Sequence, residues 1–255
     1  MATILETRDV RKAFDALVAV DGVSMSVEEG GFHSLIGPNG AGKTTLFNVI
    51  SGTLAASGGL VLFKGEDITD LAVHRTAHLG IGRSFQITNL FGRLPVVENV
   101  RLAAQAPAKG SFRLLKSARD FPEHYQRAAE VMELTGLADR AATAAQDLSH
   151  GDQRKLELAM ILAPDPELLL LDEPTAGMGA EDVPAFIELI QSVQESAAKT
   201  VLLVEHNMNV VMAVSDVITC MHQGRVLAEG SPSQIAANEE VQEAYLGRGS
   251  YGGAG

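Results

Sequence analysis

Residues Gly37 to Thr45 read Gly-Pro-Asn-Gly-Ala-Gly-Lys-Thr-Thr and match the pattern G-x-x-x-x-G-K-[ST] at every fixed position. The chemistry implied is the cradling of a polyphosphate. Glycines such as Gly40 and Gly42 let the backbone N–H groups of Asn39, Ala41, Lys43, Thr44 and Thr45 approach phosphate oxygens without a side chain in the way. A helix starting at Lys43 would turn its positive end toward the same anion. Lys43 can then reach the β- and γ-phosphates of a nucleoside triphosphate, and the Thr44 hydroxyl can ligand Mg²⁺.

A second constellation lies further along. Four leucines, Leu168 to Leu171, run straight into Asp172 and Glu173. A buried strand that ends this way delivers two carboxylates, Asp172 to hold Mg²⁺ and Glu173 to polarise an attacking water as general base. Gln86, in Arg-Ser-Phe-Gln, carries an amide able to touch both metal and water; on its own it reads equally well as a solvated loop residue. His206 follows the apolar run Val201 to Val204 and Glu205, so its imidazole would reach a γ-phosphate from the carboxyl end of a strand. A lone histidine is otherwise an ordinary surface or core residue, and only this placement favours a role. In Leu148-Ser149-His150-Gly151-Asp152, the Ser149 hydroxyl and the N–H of Gly151 can meet a phosphate at a helix start. Ser149 is equally suited to cap that helix with no ligand present.

The elements that must position these groups are legible as periodicities. Phe32 to Ile36, Leu168 to Leu171 and Val201 to Val204 are short continuous apolar runs, as expected of buried parallel strands whose carboxyl ends carry a site. Val23 to Val27 and Val61 to Phe63 predict strands of an N-terminal sheet, and Lys43 to Ile50 a helix after the glycine loop. From about Val96 to Ala163 the texture turns helical. Pro122 and Glu123 open one run, with Ala128, Val131, Met132 and Thr135 on a common face, and Leu156, Ala159, Met160 and Ala163 form a second stripe ending at Pro164. Strands return at Val217 to Met221 and Arg225 to Ala228, followed by a helix over Pro232 to Ala237. The predicted class is α/β: a P-loop NTPase (RecA-like) core with an N-terminal antiparallel β-sheet and an inserted helical subdomain. Residues 1–88 and 164–255 form the core in this reading, and 89–163 the insert.

Composition narrows the function classes. The chain has 255 residues, 46% of them hydrophobic, enough to bury a large core. Its net charge of −12 argues against a broad nucleic-acid footprint, so nucleotide recognition must be local. The single cysteine, Cys220, sits in an apolar run and suits a buried small hydrophobe in a reducing compartment. The N-terminus lacks the apolar core of a signal peptide, and no uncharged apolar stretch approaches ~18 residues. Work at a membrane would therefore go through a partner. No internal repeat appears, which predicts one nucleotide-binding cassette.

The order of these motifs resembles the ATP-binding subunit of ABC transporters over nearly the whole chain: Phe14, Gly37 to Thr44, Gln86, Leu148 to Asp152, Leu168 to Glu173 and His206. The resemblance implies ATP and Mg²⁺ as ligands, Phe14 and Val20 against adenine, and a dimer in which Ser149 and Gly151 act on ATP bound to a second ATP-binding subunit. It departs from the family at three points. A glycine of Leu-Ser-Gly-Gly-Gln is His150 here, its glutamine is Asp152, and the aspartate of the usual Ser-Ala-Leu-Asp is Gly179. An acid near a γ-phosphate is electrostatically awkward unless it points away or serves its own helix.

Leu-Ser-His-Gly, Glu-Pro-Thr-Ala-Gly-Met, Val-Glu-His-Asn-Met and Ala244 to Gly247 look like the importers of branched-chain amino acids and their urea and amide relatives. These imply two permease subunits, a solute-binding protein outside the membrane and a place on the cytoplasmic face of the inner membrane. The stretch Arg101 to Arg119, with Lys109, Arg113 and Lys116 and no acid, matches the longer-insert type of ATPase chain. It is expected to lie toward anionic headgroups or permease loops, or else to be a solvated loop. A lipid or lipopolysaccharide exporter ATPase shares every nucleotide motif and remains the alternative. A non-transport ABC ATPase of DNA repair or translation fits less well, because the chain lacks a zinc-bearing insertion or a second cassette.

Overall fold

The computed structural model describes residues 2–84, 90–106 and 122–246. In chain order, the first half contains β1 (Thr3–Phe14), β2 (Leu17–Glu28), β3 (Phe32–Ile36), α1 (Lys43–Ile50), β4 (Gly58–Phe63), β5 (Glu66–Asp67), α2 (Val73–His78), β6 (Ile81–Arg83), α3 (Val96–Gln105) and α4 (Pro122–Leu134). The second half contains α5 (His150–Leu162), β7 (Leu168–Asp172), α6 (Val183–Ser196), β8 (Thr200–Val204), α7 (Met208–Val214), β9 (Val217–His222), β10 (Arg225–Gly230), α8 (Pro232–Ala236) and α9 (Glu239–Leu246). The chain divides into two compact units, Met1–Thr76 with Thr200–Gly255, and Ala77–Lys199.

The first unit holds an antiparallel sheet in the order β2-β1-β4-β5. The predicted strands at Val23–Val27 and Val61–Phe63 lie inside β2 and β4. β1 escaped the sequence reading because its alternation is broken. Its pairing with β2 shifts between Thr7 and Val10, where Asp9 takes φ 47° and its N–H donates to Ser24 Oγ at 2.8 Å, a bulge that re-aims the strand. In the same unit β3 lies between β8 and β9, parallel to both, with Leu35 opposite Val204 and Ile36 opposite Cys220. All five residues of β3 and all five of β8 are buried; β8 is apolar from Val201 on, whereas His33 and Ser34 interrupt the apolar run expected at Phe32 to Ile36 and are buried with hydrogen-bond partners in Thr219 and Ser215. Behind the end of β3, a cluster of Ile36, Val211, Ile218, Cys220, Ile235 and Val241 is joined by Leu227 and Tyr245. Cys220 is a free, buried thiol, pushed up to about 11 by burial.

In the second unit β6 pairs parallel with β7, Ile81 opposite Leu168 and Arg83 opposite Leu170. Leu168, Leu169, Leu170 and Leu171 are buried, each contributing roughly 1.5–3 kcal/mol relative to exposure. Helices α3, α4 and α5 pack on one another through Val96, Val100 and Ala104, Ala128, Val131 and Met132, and Leu156, Ala159 and Leu162. Asn99, fully buried, accepts from Phe91 N–H at 2.8 Å and donates to Leu94 O at 3.2 Å and Pro95 O at 3.0 Å. One amide thus satisfies the loop leading into α3. Arg101, counted in the basic stretch, is committed inward. It is buried, with Nε 2.8 Å from Glu98, whose other oxygen accepts from Tyr125 OH. Lys109, Arg113, Lys116 and Arg119 lie outside the described residues. Among the described residues no helix is long and apolar enough to cross a membrane.

Candidate active site

The glycine loop leaves the buried end of β3 and enters α1, so the strand, loop and helix that the motif requires are in place. Two close approaches explain its glycines. A Cβ on Gly37 would stand 2.2 Å from Met221 O, and one on Gly42 would stand 2.3 Å from Ala19 O. Gly42 also takes φ 97°, where side chains are disfavoured. The loop is thereby pressed against neighbouring backbone, and hydrogen bonds hold it there. Gly224 N–H donates to Ala41 O at 3.0 Å, and Ala41 N–H to Pro38 O at 3.1 Å.

Gly42 is the N-cap of α1, and no side chain caps that end. The positive end of the helix, with its first-turn amides, is left to an anion. Asn39 and Gly40 are exposed, Ala41 is buried, and Thr44 and Thr45 are half-buried. Lys43 is only 8% exposed, and its Nζ donates to Gly37 O at 2.7 Å and Pro38 O at 3.2 Å. An ammonium is thus stationed over the loop.

Three further expected residues belong to the same unit. Phe14 ends β1 at 43% exposure, with Lys12 Nζ 5.0 Å from its ring centroid. Val20 is fully buried, so its side chain forms wall and presents no surface to a ligand; its neighbour Ala19 supplies the carbonyl that meets Gly42. His206 follows β8 with its side chain 64% exposed. Fully buried Glu205 accepts from the N–H groups of His206 at 3.0 Å and Asn207 at 3.3 Å. Asn207 in turn caps α7. The imidazole is therefore displayed from a backbone corner fixed on both sides.

The other expected residues lie in the second unit. Asp172 ends β7 and is 3% exposed. Its N–H donates to Ser84 Oγ at 2.8 Å, and Ser84 N–H to Leu170 O at 2.8 Å. Burial lowers Arg83, and the charge of Asp172 offsets part of that shift. Glu173 takes φ 47°, a left-handed conformation that costs a non-glycine residue roughly 1–2 kcal/mol. The backbone turns sharply there, directly after the carboxyl end of β7.

Ser149 caps α5, accepting from Asp152 N–H at 3.1 Å; it and His150 are exposed, and Gly151 is half-buried. The Asp152 carboxylate is 3.2 Å from Lys155 Nζ. Gln86 lies outside the described residues. Sequence reasoning missed Glu205, Tyr245 and Arg154. A charged residue directly ending an apolar strand could have flagged Glu205; nothing local flags the reach of Tyr245 to Gly37 or of Arg154 to Ala176, contacts between segments distant in sequence.

A glycine loop moulded to backbone, opening on an uncapped helix that carries Lys43 and Thr44, defines a phosphate-loop nucleotide-binding protein. The profile of the ABC transporter family matches residues 20–176, and that of the branched-chain amino acid ATP-binding cassette transporter matches residues 225–251. The chain belongs to the ABC transporter family, as one of its ATP-hydrolysing cassettes. It is 39% identical to the high-affinity branched-chain amino acid transport ATP-binding protein BraF of Pseudomonas aeruginosa, over 96% of this chain and 98% of that one. LivG of Escherichia coli, described in the same words, is 38% identical over the same shares. An ATP-binding cassette of an ABC transporter solved in its ADP conformation superposes with a TM-score of 0.87 at 30% identity, covering 97% of this chain and all of that one.

Proposed function

We propose that this chain is the ATPase of an importer of branched-chain or related amino acids, working at the cytoplasmic face of the inner membrane. The observation that carries this reading is likeness without gaps in coverage: the relatives named above are matched along almost their whole length, and the branched-chain family profile matches the C-terminal segment. The partners proposed are a second ATP-binding subunit, two permease subunits and, indirectly, a solute-binding protein; no nucleic acid is involved.

The residues divide the work by their chemistry. Backbone N–H groups of the glycine loop and α1 hold the β- and γ-phosphates, and Lys43 neutralises charge there. Phe14, exposed at a strand end, stacks on adenine, and buried Val20 backs that wall. Oxygen donors suit Mg²⁺, and the Thr44 hydroxyl and Asp172 carboxylate would hold it, supplying charge neutralisation at the phosphates. Glu173 accepts a proton from the attacking water, Gln86 orients that water, and His206 donates to the γ-phosphate. Ser149 and Gly151 offer a hydroxyl and an N–H to ATP on a partner subunit. ATP binding closes the dimer, the helical subdomain carries the motion to the permease, and hydrolysis reopens it.

The test is to extract the tagged chain gently from native membranes and identify what accompanies it. Two permease chains, a second ATPase and a solute-binding protein that takes up leucine, isoleucine or valine are expected. Recovery with ribosomal or nucleic-acid proteins would refute the transport reading.

A further inference from the structure

At the far end of the chain, Tyr245 in α9 places its hydroxyl 3.1 Å from the N–H of Gly37, which donates to it. Gly37 is the first residue of the glycine loop, 208 positions earlier. Its carbonyl accepts from Lys43 Nζ at 2.7 Å. The two peptide groups that flank Gly37 are therefore both held, one by the phenol and the other by the ammonium. The Cα between them lies close to neighbouring backbone, since a Cβ placed on it would stand 2.2 Å from Met221 O. Tyr245 itself is anchored, packed with Ile36, Cys220, Ile235 and Val241. Burial raises the phenol above its ordinary range, so it stays neutral at physiological pH.

We propose that Tyr245 is a positioning residue for nucleotide binding, a strut through which the C-terminal helix fixes the first glycine of the loop and, with it, the perch of Lys43. The inference rests on the reading of that loop as the ATP site and adds a control point to it: whatever displaces α9 loosens the nucleotide loop. Residues 244–247 gave a family phrase in the sequence; the hydrogen bond assigns one of them a task. The second peptide group matters most. If Gly37 is free to rotate, its carbonyl no longer faces Lys43, and the ammonium must be re-placed each time a phosphate arrives. The loop is then less preorganised, and binding weakens although no ligand contact has been removed.

The experiment compares the full chain with Tyr245→Phe, which removes only the hydroxyl, and with Tyr245→Leu, which also trims the ring packing. ATP with Mg²⁺ is titrated at equilibrium by calorimetry, amide exchange is followed over the peptide containing Gly37, and Tm is recorded. Tyr245→Phe is expected to weaken ATP binding roughly three- to tenfold, the range of one neutral hydrogen bond, and to speed exchange at Gly37 while Tm stays near that of the parent. Tyr245→Leu is expected to lower Tm as well. Unchanged ATP affinity and unchanged exchange in Tyr245→Phe would overturn the proposal, as would a fall in Tm with affinity intact, which would make the contact structural only. A parent chain that binds no ATP would overturn the nucleotide site itself.

Discussion

His33 offers a quantitative test of the core beneath the glycine loop. It lies in β3 at 3% exposure, and its Nε2 is 2.7 Å from Thr219 Oγ1. The Thr219 hydroxyl donates its one proton to the Glu229 carboxylate, so Nε2 of His33 must be the donor in the first link. Burial holds its pKa at about 4 against an ordinary 6.5. The sign follows from linkage. Below pH 6.5 the unfolded chain takes up a proton that the folded chain refuses until pH 4, so this group's stability is fully present above 6.5 and is lost as pH falls.

The interval, 6.5 minus 4, corresponds to about 3 kcal/mol in total, of which about 2 kcal/mol is gone by pH 5. Glu229, one hydroxyl away, would offset part of this by attracting the imidazolium, which makes these values ceilings. The perturbation is His33→Gln, which keeps an N–H donor for Thr219 and cannot titrate. Urea unfolding of both proteins at pH 7 and pH 5, followed by far-UV circular dichroism, cancels the carboxylates they share. The parent is expected to lose up to about 2 kcal/mol more than the variant. Parallel losses would refute the assignment of His33 as a buried neutral base.

Glu173→Gln is expected to bind ATP and to lose on the order of 10²- to 10⁴-fold in hydrolysis rate; near-normal phosphate release would place the base elsewhere. Gly42→Ala drives a methyl group to 2.3 Å from Ala19 O at φ 97°, so ATP binding by calorimetry should be abolished even where the fold survives. Arg154→Ala removes donors to Ala176 O and to Glu157 and should lower stability by about 1–3 kcal/mol. Adding Glu157→Gln should recover part of that loss in urea unfolding, because it discharges the stranded carboxylate.

The sequence was most readable where one physical demand dominates. β3, β7 and β8 are buried along their whole length, so apolar residues dominate there despite His33, Ser34, Asp172 and Thr200, and each was located to within a residue. α1 follows a motif whose geometry admits few substitutes, and Pro122 and Ser149 announce α4 and α5 by their terminal chemistry. β1 was illegible because its bulge at Asp9 resets the alternation, and β6 because three residues, Ile81–Arg83, carry no period. In the site, the loop's glycines and the carboxylates at the end of β7 could be named from spacing. That Val20 is wall rather than surface, and that Tyr245 reaches Gly37, depends on contacts between segments far apart in sequence, which no local pattern encodes.

The departures at Asp152 and Gly179 have a physical counterpart in the second unit. A glutamine at 152 would be neutral; the aspartate brings a charge to the first turn of α5, where the helix's positive end favours it. Its N–H is capped by Ser149 and its carboxylate is paired with Lys155 one turn on, so the charge is committed along its own helix. Downstream of Glu173 the loop folds on itself, Ala176 N–H to Glu173 O at 3.0 Å and Met178 N–H to Thr175 O at 3.1 Å. Gly179 supplies no side chain to tie that loop to anything else. Arg154 does so instead, donating to Ala176 O at 2.6 Å from the same helix, with Glu157 fixing its other nitrogen at 2.7 Å. The first two turns of α5 therefore carry two linked tasks. Ser149, Asp152 and Lys155 settle the helix start, and Arg154, on the adjoining turn, couples that start to the segment that holds Glu173. The guanidinium of Arg154 is thus the link from α5 to Ala176, three residues after Glu173.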